Sequence, residues 1–241
     1  VIVKNEEKNI GQWLNNMRQI ADEIVVVDTG STDNTINILE NANITPYHFT
    51  WCNDFAAAKN YAIQQATGDW IVFLDADEYF DASSVKQFRT EMTRYQNNKK
   101  IGAIMCQLVN IDTDNRNKII DAMIQVRIFR NSKDIYYKNP VHEQLVTKPG
   151  KYIMQKCFDL QIIHTGYSAG ILRKKAERDL PILQQREKEA KTQKEREQLY
   201  VFFMDAYNCL GVFDKVLLYA QKAEKSNMKT LGGDIHIYEC M

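Results

Sequence analysis

Asp75, Asp77 and Glu78 place three acids within four positions at the end of "DWIVFLDADEYF", residues 69–80, where an apolar run suited to a sheet interior stops. Carboxylates crowded at the end of a buried strand repel one another, so a cation or a shared proton is expected among them. Asp75 and Asp77 lie two apart, so in an extended strand they share a face, and the small Ala76 leaves that face uncluttered. Such a pair can hold one divalent cation. Oxygen ligands favour Mg²⁺ or Mn²⁺, an ion that keeps waters and takes further ligands from substrate phosphates, so a nucleotide diphosphate is the natural guest. On these residues alone the plainer alternative stays open, that the acids cap the following helix or sit solvated on a loop.

The elements that must position these acids follow a βαβ rhythm. "VIV" reads as a strand, Ile10, Trp13, Leu14 and Met17 fall at helical spacing, and "EIVVVD" reads as a second strand. "STDNTINILENA" predicts a helix capped by Ser31 or Thr32, followed by the strand "PYHFTW". "DFAAAKNYAIQQATG" predicts a helix stopped at Gly68 and "WIVFLDAD" a fourth strand. Four such strands imply a parallel, helix-covered sheet with Asp28 and the Asp75–Asp77 pair at its carboxyl edge, where open α/β sheets bind ligands.

The middle third turns β-rich. After the helix "SSVKQFRTEMTRY", the strands "IGAIMCQLVNI" and "IIDAMIQVRIFRN" form a hairpin across "DTDNRNK", in which Asp112 and Asp114 read as turn residues. Arg127 and Arg130 are expected off one strand face, to meet a phosphate or carboxylate or to form an internal salt bridge. "YYKNPVHEQLV" and "KCFDLQIIHTGYS" complete this part. From Ile171 the pattern is helical: a charged connector, residues 171–195, interrupted near Pro181, then a hairpin over 196–241. Its stripes are Leu199, Phe202, Phe203, Ala206, Tyr207 and Leu210, then Phe213, Val216, Leu217 and Ala220, with Gly211 at the turn.

The 241 residues carry 31 Lys+Arg and 31 Asp+Glu, so no global basic field gathers nucleic acid or an anionic membrane. Five singly scattered cysteines argue against a disulfide framework or zinc ribbon and for a reducing compartment. No apolar run approaches the roughly 18 residues of a membrane span. Val1 already lies in a strand and "HIYECM" has no clear cap, so both ends read as trimmed from something longer.

Taken in order, "VKNEEKNI", "VVVDTGSTDNT", "DFAAAKNYAIQQATGDWIVFLDADEYF", "VHE" and "IIHTGY" resemble family 2 glycosyltransferases of GT-A fold over residues 1–170. The fold this implies is α/β and Rossmann-like, with a mixed central sheet and an α-helical extension. Closest in appearance are bacterial members with tetratricopeptide-like helices after the catalytic domain, and "AYNCLGVFDKVLLYAQKAEKS" resembles one such unit. A single unit cannot bury its own face, so it packs elsewhere, continues, or is a plain helical hairpin.

The resemblance implies that Asn5 and Glu6 border the nucleoside pocket, that Asp28 pairs with base or ribose, and that Asp75 and Asp77 hold Mg²⁺ or Mn²⁺ on the donor diphosphate. A carboxylate at Asp28 also suits this independently, since it accepts from uracil N–H or sugar hydroxyls. Thr29 stands where the family often has a second acid. Lys59 stands where relatives commonly have Arg; it meets a phosphate as a point charge, or is an exposed helix lysine. Glu143 in "NPVHEQL" is the candidate base, since a carboxylate within hydrogen-bond reach can deprotonate an acceptor hydroxyl. His164, ending "LQIIH", is a further metal ligand or a structural histidine, and His142 orients the acceptor or fills the core, the core role being favoured. His48 and His236 offer only surface or core roles.

The expected activity is metal-dependent, inverting transfer from a UDP-hexose to a glycan, lipid-linked saccharide or peptide, with the C-terminal helices as a platform for acceptor or protein partner. The expected location is cytoplasmic, with peripheral attachment at the inner membrane face left open. Two rivals stand beside it. A haloacid-dehalogenase-like phosphatase also ends a strand in Asp-x-Asp, though its motif opens the domain and continues differently from Tyr79. A non-catalytic nucleotide-sugar-binding scaffold is the other.

Overall fold

The computed structural model describes residues 1–226 and divides into two units, Val1–Tyr167 and Ser168–Met241. In the first unit, β1 (Ile2–Val3), β2 (Val27–Asp28) and β3 (Tyr47–His48) form a parallel sheet in that order, joined by α1 (Ile10–Met17) and α2 (Thr35–Asn41). Helix α1 lies on it because Ile10, Trp13, Leu14 and Met17 recur at helical spacing and are all buried. Helix α2 starts later than Ser31 or Thr32. Asn34 is its N-cap, and Asp33 takes the Thr35 N–H at 2.9 Å, while the Ser31 hydroxyl serves Asn5 instead.

Helix α3 (Phe55–Gln65) is capped by Asp54, which accepts from the Ala57 N–H at 2.8 Å, and it packs through Ala56, Ala58 and Ala62. These small residues let its backbone lie close to the sheet, which carries Lys59 inward. The fourth strand does not join the parallel set. β4 (Trp70–Val72) pairs antiparallel with β7 (Lys118–Arg130) in a mixed sheet of order β4-β7-β6-β10-β5, where β5 is Glu78–Phe80, β6 Ile101–Asp112 and β10 Ile153–His164. Helix α4 (Ala82–Gln96), capped by Asp81, covers part of it, and β8 (Ile135–Lys138) and β9 (Gln144–Thr147) form a separate hairpin. The β6–β7 hairpin turns at Thr113–Asn115, where Asp112 accepts from the Asp114 N–H and Arg116 and Asn117 take positive φ.

The second unit comprises α5 (Ala169–Glu189), α6 (Gln193–Leu210) and α7 (Phe213–Lys225). No interruption occurs at Pro181: α5 runs through it. A proline inside a helix costs about 3 kcal/mol, and burial of the adjoining Ile182 and Leu183 offsets that cost. Thr192 and Glu195 form a capping box at the start of α6, and Gly211, at φ 73°, ends it. The buried face of α7 is Val216, Tyr219, Ala220 and Ala223, with Tyr219 stacked 4.6 Å from Phe203. Phe213 and Leu217, expected on that stripe, are exposed, because the α7 face turned to α6 is the one carrying Tyr219. The remainder of the 196–241 hairpin, with His236, lies outside the described residues. No described helix is long and apolar enough to cross a membrane.

Candidate active site

The acids do not share a strand face. Asp75, Ala76 and Asp77 fall between β4 and β5 in a tight turn, in which the Glu78 N–H donates to the Asp75 carbonyl at 3.0 Å and the Asp75 N–H donates to Glu78 Oε2 at 3.1 Å. Leaving the strand sends the two aspartates to different neighbours.

Asp75 meets protein cations on both oxygens. Lys59 Nζ is 3.0 Å from Oδ1 and Arg127 Nη2 is 3.6 Å from Oδ2. Lys59 is no exposed helix lysine: it is 3% exposed, 2.6 Å from Glu143 Oε1, and lies over the rings of Phe73 and Tyr137 at 5.2 and 5.3 Å. Burial opposes its charge, yet Asp75 and Glu143 outweigh burial and hold its pKa above the ordinary lysine value. Arg127 also grips Glu78, through Nε at 2.8 Å and Nη2 at 2.5 Å, a bidentate pair on a carboxylate that is 1% exposed. Burial opposes this charge too, and Glu78 and Asp75 raise the Arg127 pKa against it.

Arg127 and Arg130 meet different neighbours, with the strand's regular alternation broken at Arg127, which has no register partner on β6. Arg130 donates to the Ile101, Gln96 and Asn98 carbonyls and lies 4.4 Å over Trp70, away from the acids. Tyr137 lines the Lys59 pocket with its hydroxyl buried and without a hydrogen-bond partner among the described residues, and burial pushes its pKa up to about 12.

Asp77 faces the other way. Its Oδ2 is 3.3 Å from His164 Nε2, and its carbonyl accepts from the Thr165 N–H at 3.0 Å and hydroxyl at 3.1 Å. His164 Nδ1 lies 2.7 Å from Asn110 Oδ1, and Asn110, fully buried, donates its amide to Asp121. Asn110, Asp121 and Tyr137 escaped the sequence reading. Asn110 left a trace there, as a polar residue inside the apolar strand "AIMCQLVNI".

The nucleoside-side candidates are tied into loops. Asp28 is buried and accepts from the Gly30 and Ser31 N–H groups at 3.0 Å, with His48 Nδ1 3.8 Å away. Asn5, at φ 59°, accepts through Oδ1 from the Thr32 and Asp33 N–H groups, binding the loop after β1 to the loop after β2. The Glu6 N–H donates to the Thr35 hydroxyl at 2.8 Å and its carboxylate accepts from Asn9. His142 is not a core histidine: it is exposed, at φ 50°, just before Glu143.

Another titratable cluster, Glu91, Cys157 and Asp159, brings three ligand atoms within 4.8 Å of one another. Arg94 already answers its charge, 2.6 Å from Glu91 and 3.9 Å from Asp159.

A parallel nucleotide-fold sheet, a mixed sheet beside it and acids at the strand ends define a sugar-nucleotide transferase architecture, and similarity to known proteins agrees. The family model described as "Glycosyl transferase family 2" matches residues 1–180, and the chain belongs to that family. It is 33% identical over 143 residues to a tetratricopeptide repeat-containing protein of Synechococcus elongatus, covering 59% of this chain and 34% of the relative. It is 24% identical over its full length to the SPbeta prophage-derived glycosyltransferase SunS of Bacillus subtilis, covering 56% of that protein. The chain thus spans about a third to somewhat over half of these relatives. Among solved structures, S. aureus TarS matches with TM-score 0.52 at 16% identity over 99% of this chain and 54% of that one. A shorter TarS form in complex with UDP-GlcNAc gives TM-score 0.51 over 98% of this chain and 87% of that one. The fold is GT-A, which removes the dehalogenase-like phosphatase reading.

Proposed function

We propose that this chain carries the catalytic domain of a metal-dependent, inverting glycosyltransferase that takes a hexose from a UDP-sugar. The observation that carries this reading is the pairing of Asp77 with His164. Asp75, Glu78 and Glu143 are paired with Lys59 and Arg127 within the protein, whereas Asp77 Oδ2 faces an imidazole nitrogen at 3.3 Å. A carboxylate oxygen and an imidazole nitrogen side by side are donors suited to Mn²⁺, and with more oxygen ligands to Mg²⁺.

The donor set fits such an ion at Asp77 and His164, where a carboxylate oxygen and an imidazole nitrogen face each other at 3.3 Å. When bound, the ion supplies neutralisation of charge developing on the departing diphosphate. The protein's own groups do the rest. Asp75, held by Lys59 and Arg127, fixes the turn that aims Asp77. Asp28 keeps acceptor capacity beyond its hydrogen bonds from the Gly30 and Ser31 N–H groups for base or ribose, with Asn5 and Glu6 bordering that pocket. Glu143, anchored on Lys59, takes the proton from the acceptor hydroxyl, which sets in-line attack and inversion. Lys59 therefore serves the base and Asp75 before any phosphate.

TarS bound to UDP-GlcNAc supports a UDP-sugar donor. Glycan, lipid-linked saccharide and peptide acceptors all fit this reading. The exposed Phe213, Leu217 and Leu218 on α7 support a role for the helical unit in holding an acceptor or protein partner. The unpaired cysteines fit a cytoplasmic location.

Calorimetric titration of UDP with and without Mn²⁺, on wild type and Asp77→Ala, tests the donor site. Metal-dependent binding lost in the variant is the expected result. Binding indifferent to metal sinks the metal reading, and donor binding without turnover on any acceptor or water leaves the scaffold role instead.

A further inference from the structure

Three strands of the mixed sheet place Asp121, Asn110 and His164 in one row. Asn110 is the register partner of Asp121 on β7 and of His164 on β10, so the three side chains share a face. Their hydrogen bonds have only one consistent direction. An ionised carboxylate only accepts, so the amide atom turned to Asp121 is the NH₂ of Asn110. Asn110 Oδ1 is thereby turned to His164 and can only accept, so Nδ1 of His164 carries a hydrogen. In the neutral ring the lone pair is then on Nε2, which faces Asp77 Oδ2 at 3.3 Å. Two acceptors at that separation repel unless a hydrogen or a cation lies between them.

We propose that Asp121 and Asn110 are positioning residues that fix the His164 tautomer and so make Nε2 of His164 and Oδ2 of Asp77 a directed pair of ligands for a divalent cation. This rests on the metal-dependent reading above and adds to it two residues that touch neither donor nor ion. Asn110 is fully buried, so its amide cannot exchange these partners for bulk water. The row exists because of strand register alone: Asp121 sits on the far strand of the hairpin from His164's neighbour, and a slip of one residue would turn it to the other face.

The test uses the full chain and two readouts. Long-range ¹H–¹⁵N correlation spectra of ¹⁵N-labelled protein, with His164→Gln to assign the ring, are expected to show the hydrogen on Nδ1 in wild type. Mn²⁺ binding, followed by electron paramagnetic resonance in the presence of UDP, is expected to weaken about tenfold or more in Asp121→Asn, the scale of losing an outer partner of a metal-binding histidine. In that variant either amide can donate or accept, so direction is lost while size is kept. Combining Asp121→Asn with Asn110→Asp restores a partner of His164 that only accepts, and is expected to recover both the Nδ1–H signal and most of the affinity. Urea midpoints report whether each variant is folded. An Nε2–H tautomer in wild type overturns the proposal, as does a folded Asp121→Asn that binds Mn²⁺ like wild type, or a folded double variant no better than the single. If wild type shows the Nδ1–H tautomer yet binds no Mn²⁺ with UDP, the metal reading fails and the ligand-pair proposal falls with it; intact wild-type binding beside an unaffected Asp121→Asn fails this proposal alone.

Discussion

Asp75 and Asp77 are separated by one alanine and live in different chemistry. Asp75 stands at the centre of a chain of ion pairs, joined through Lys59 to Glu143 and through Arg127 to Glu78. Asp77 stands beside a histidine whose other nitrogen is held by a buried asparagine. One half satisfies its charge from within the protein, and the other presents acceptors. The contrast teaches that a short acidic motif is not one functional unit: the turn that carries it distributes its members between holding the site and using it.

That contrast can be broken by substitution. Arg127→Met leaves Glu78 buried with no cation and is expected to cost about 3–5 kcal/mol, read from urea denaturation. Lys59→Met removes the cation shared by Asp75 and Glu143, at about 3 kcal/mol, the low end for a buried pair because Asp75 is partly open to solvent. On the other half, His164→Gln is expected to cost about 1–2 kcal/mol, the order of an imperfectly replaced buried hydrogen bond, while the metal-dependent step of UDP binding disappears. Large stability loss in His164→Gln, or intact metal dependence there, would erase the distinction between the two halves.

The smallest effect is alkaline. Tyr137 keeps its proton to about pH 12 when folded, whereas an unfolded tyrosine loses it near pH 10. Between these values the unfolded chain binds fewer protons, so stability falls as pH rises, by about 1 kcal/mol near pH 11, and levels off above 12. Tyr137→Phe, lacking the buried unpaired hydroxyl, is expected to be close to neutral at pH 7 and to lose this slope. Unfolding free energies at pH 8 and 11 for both proteins measure it.

Much of the fold was legible in local pattern. The βαβ opening, the α1 face of Ile10, Trp13, Leu14 and Met17, the β6–β7 hairpin and the Gly211 turn all follow from periodicity and turn chemistry that act within a few residues. Where the reading failed, longer-range packing had decided. Pro181 did not end α5 because its neighbours gained burial, and Phe213 stayed outside because α6 selected another face of α7. The pairing of β4 with β7, whose register partners lie 56 to 60 residues apart (Val72 with Ile128, Trp70 with Arg130), could not be seen from an apolar run that suits either sheet equally.

The candidate site divides the same way. The residue types Asp28, Asp75, Asp77, Glu143 and His164 and their order along the chain were there in the sequence, because the chemistry of cations and phosphates restricts which side chains can serve. Their partners were not. Lys59 looks like any helix lysine until α3 presses it between Asp75 and Glu143, and Asn110 and Asp121 join His164 only through the register of three strands. Sequence determines which groups can do chemistry, since that is a property of each side chain. Only the tertiary structure decides which of them meet, because hydrogen bonds and ion pairs act over about 3 Å, and residues far apart in the chain come that close only by folding.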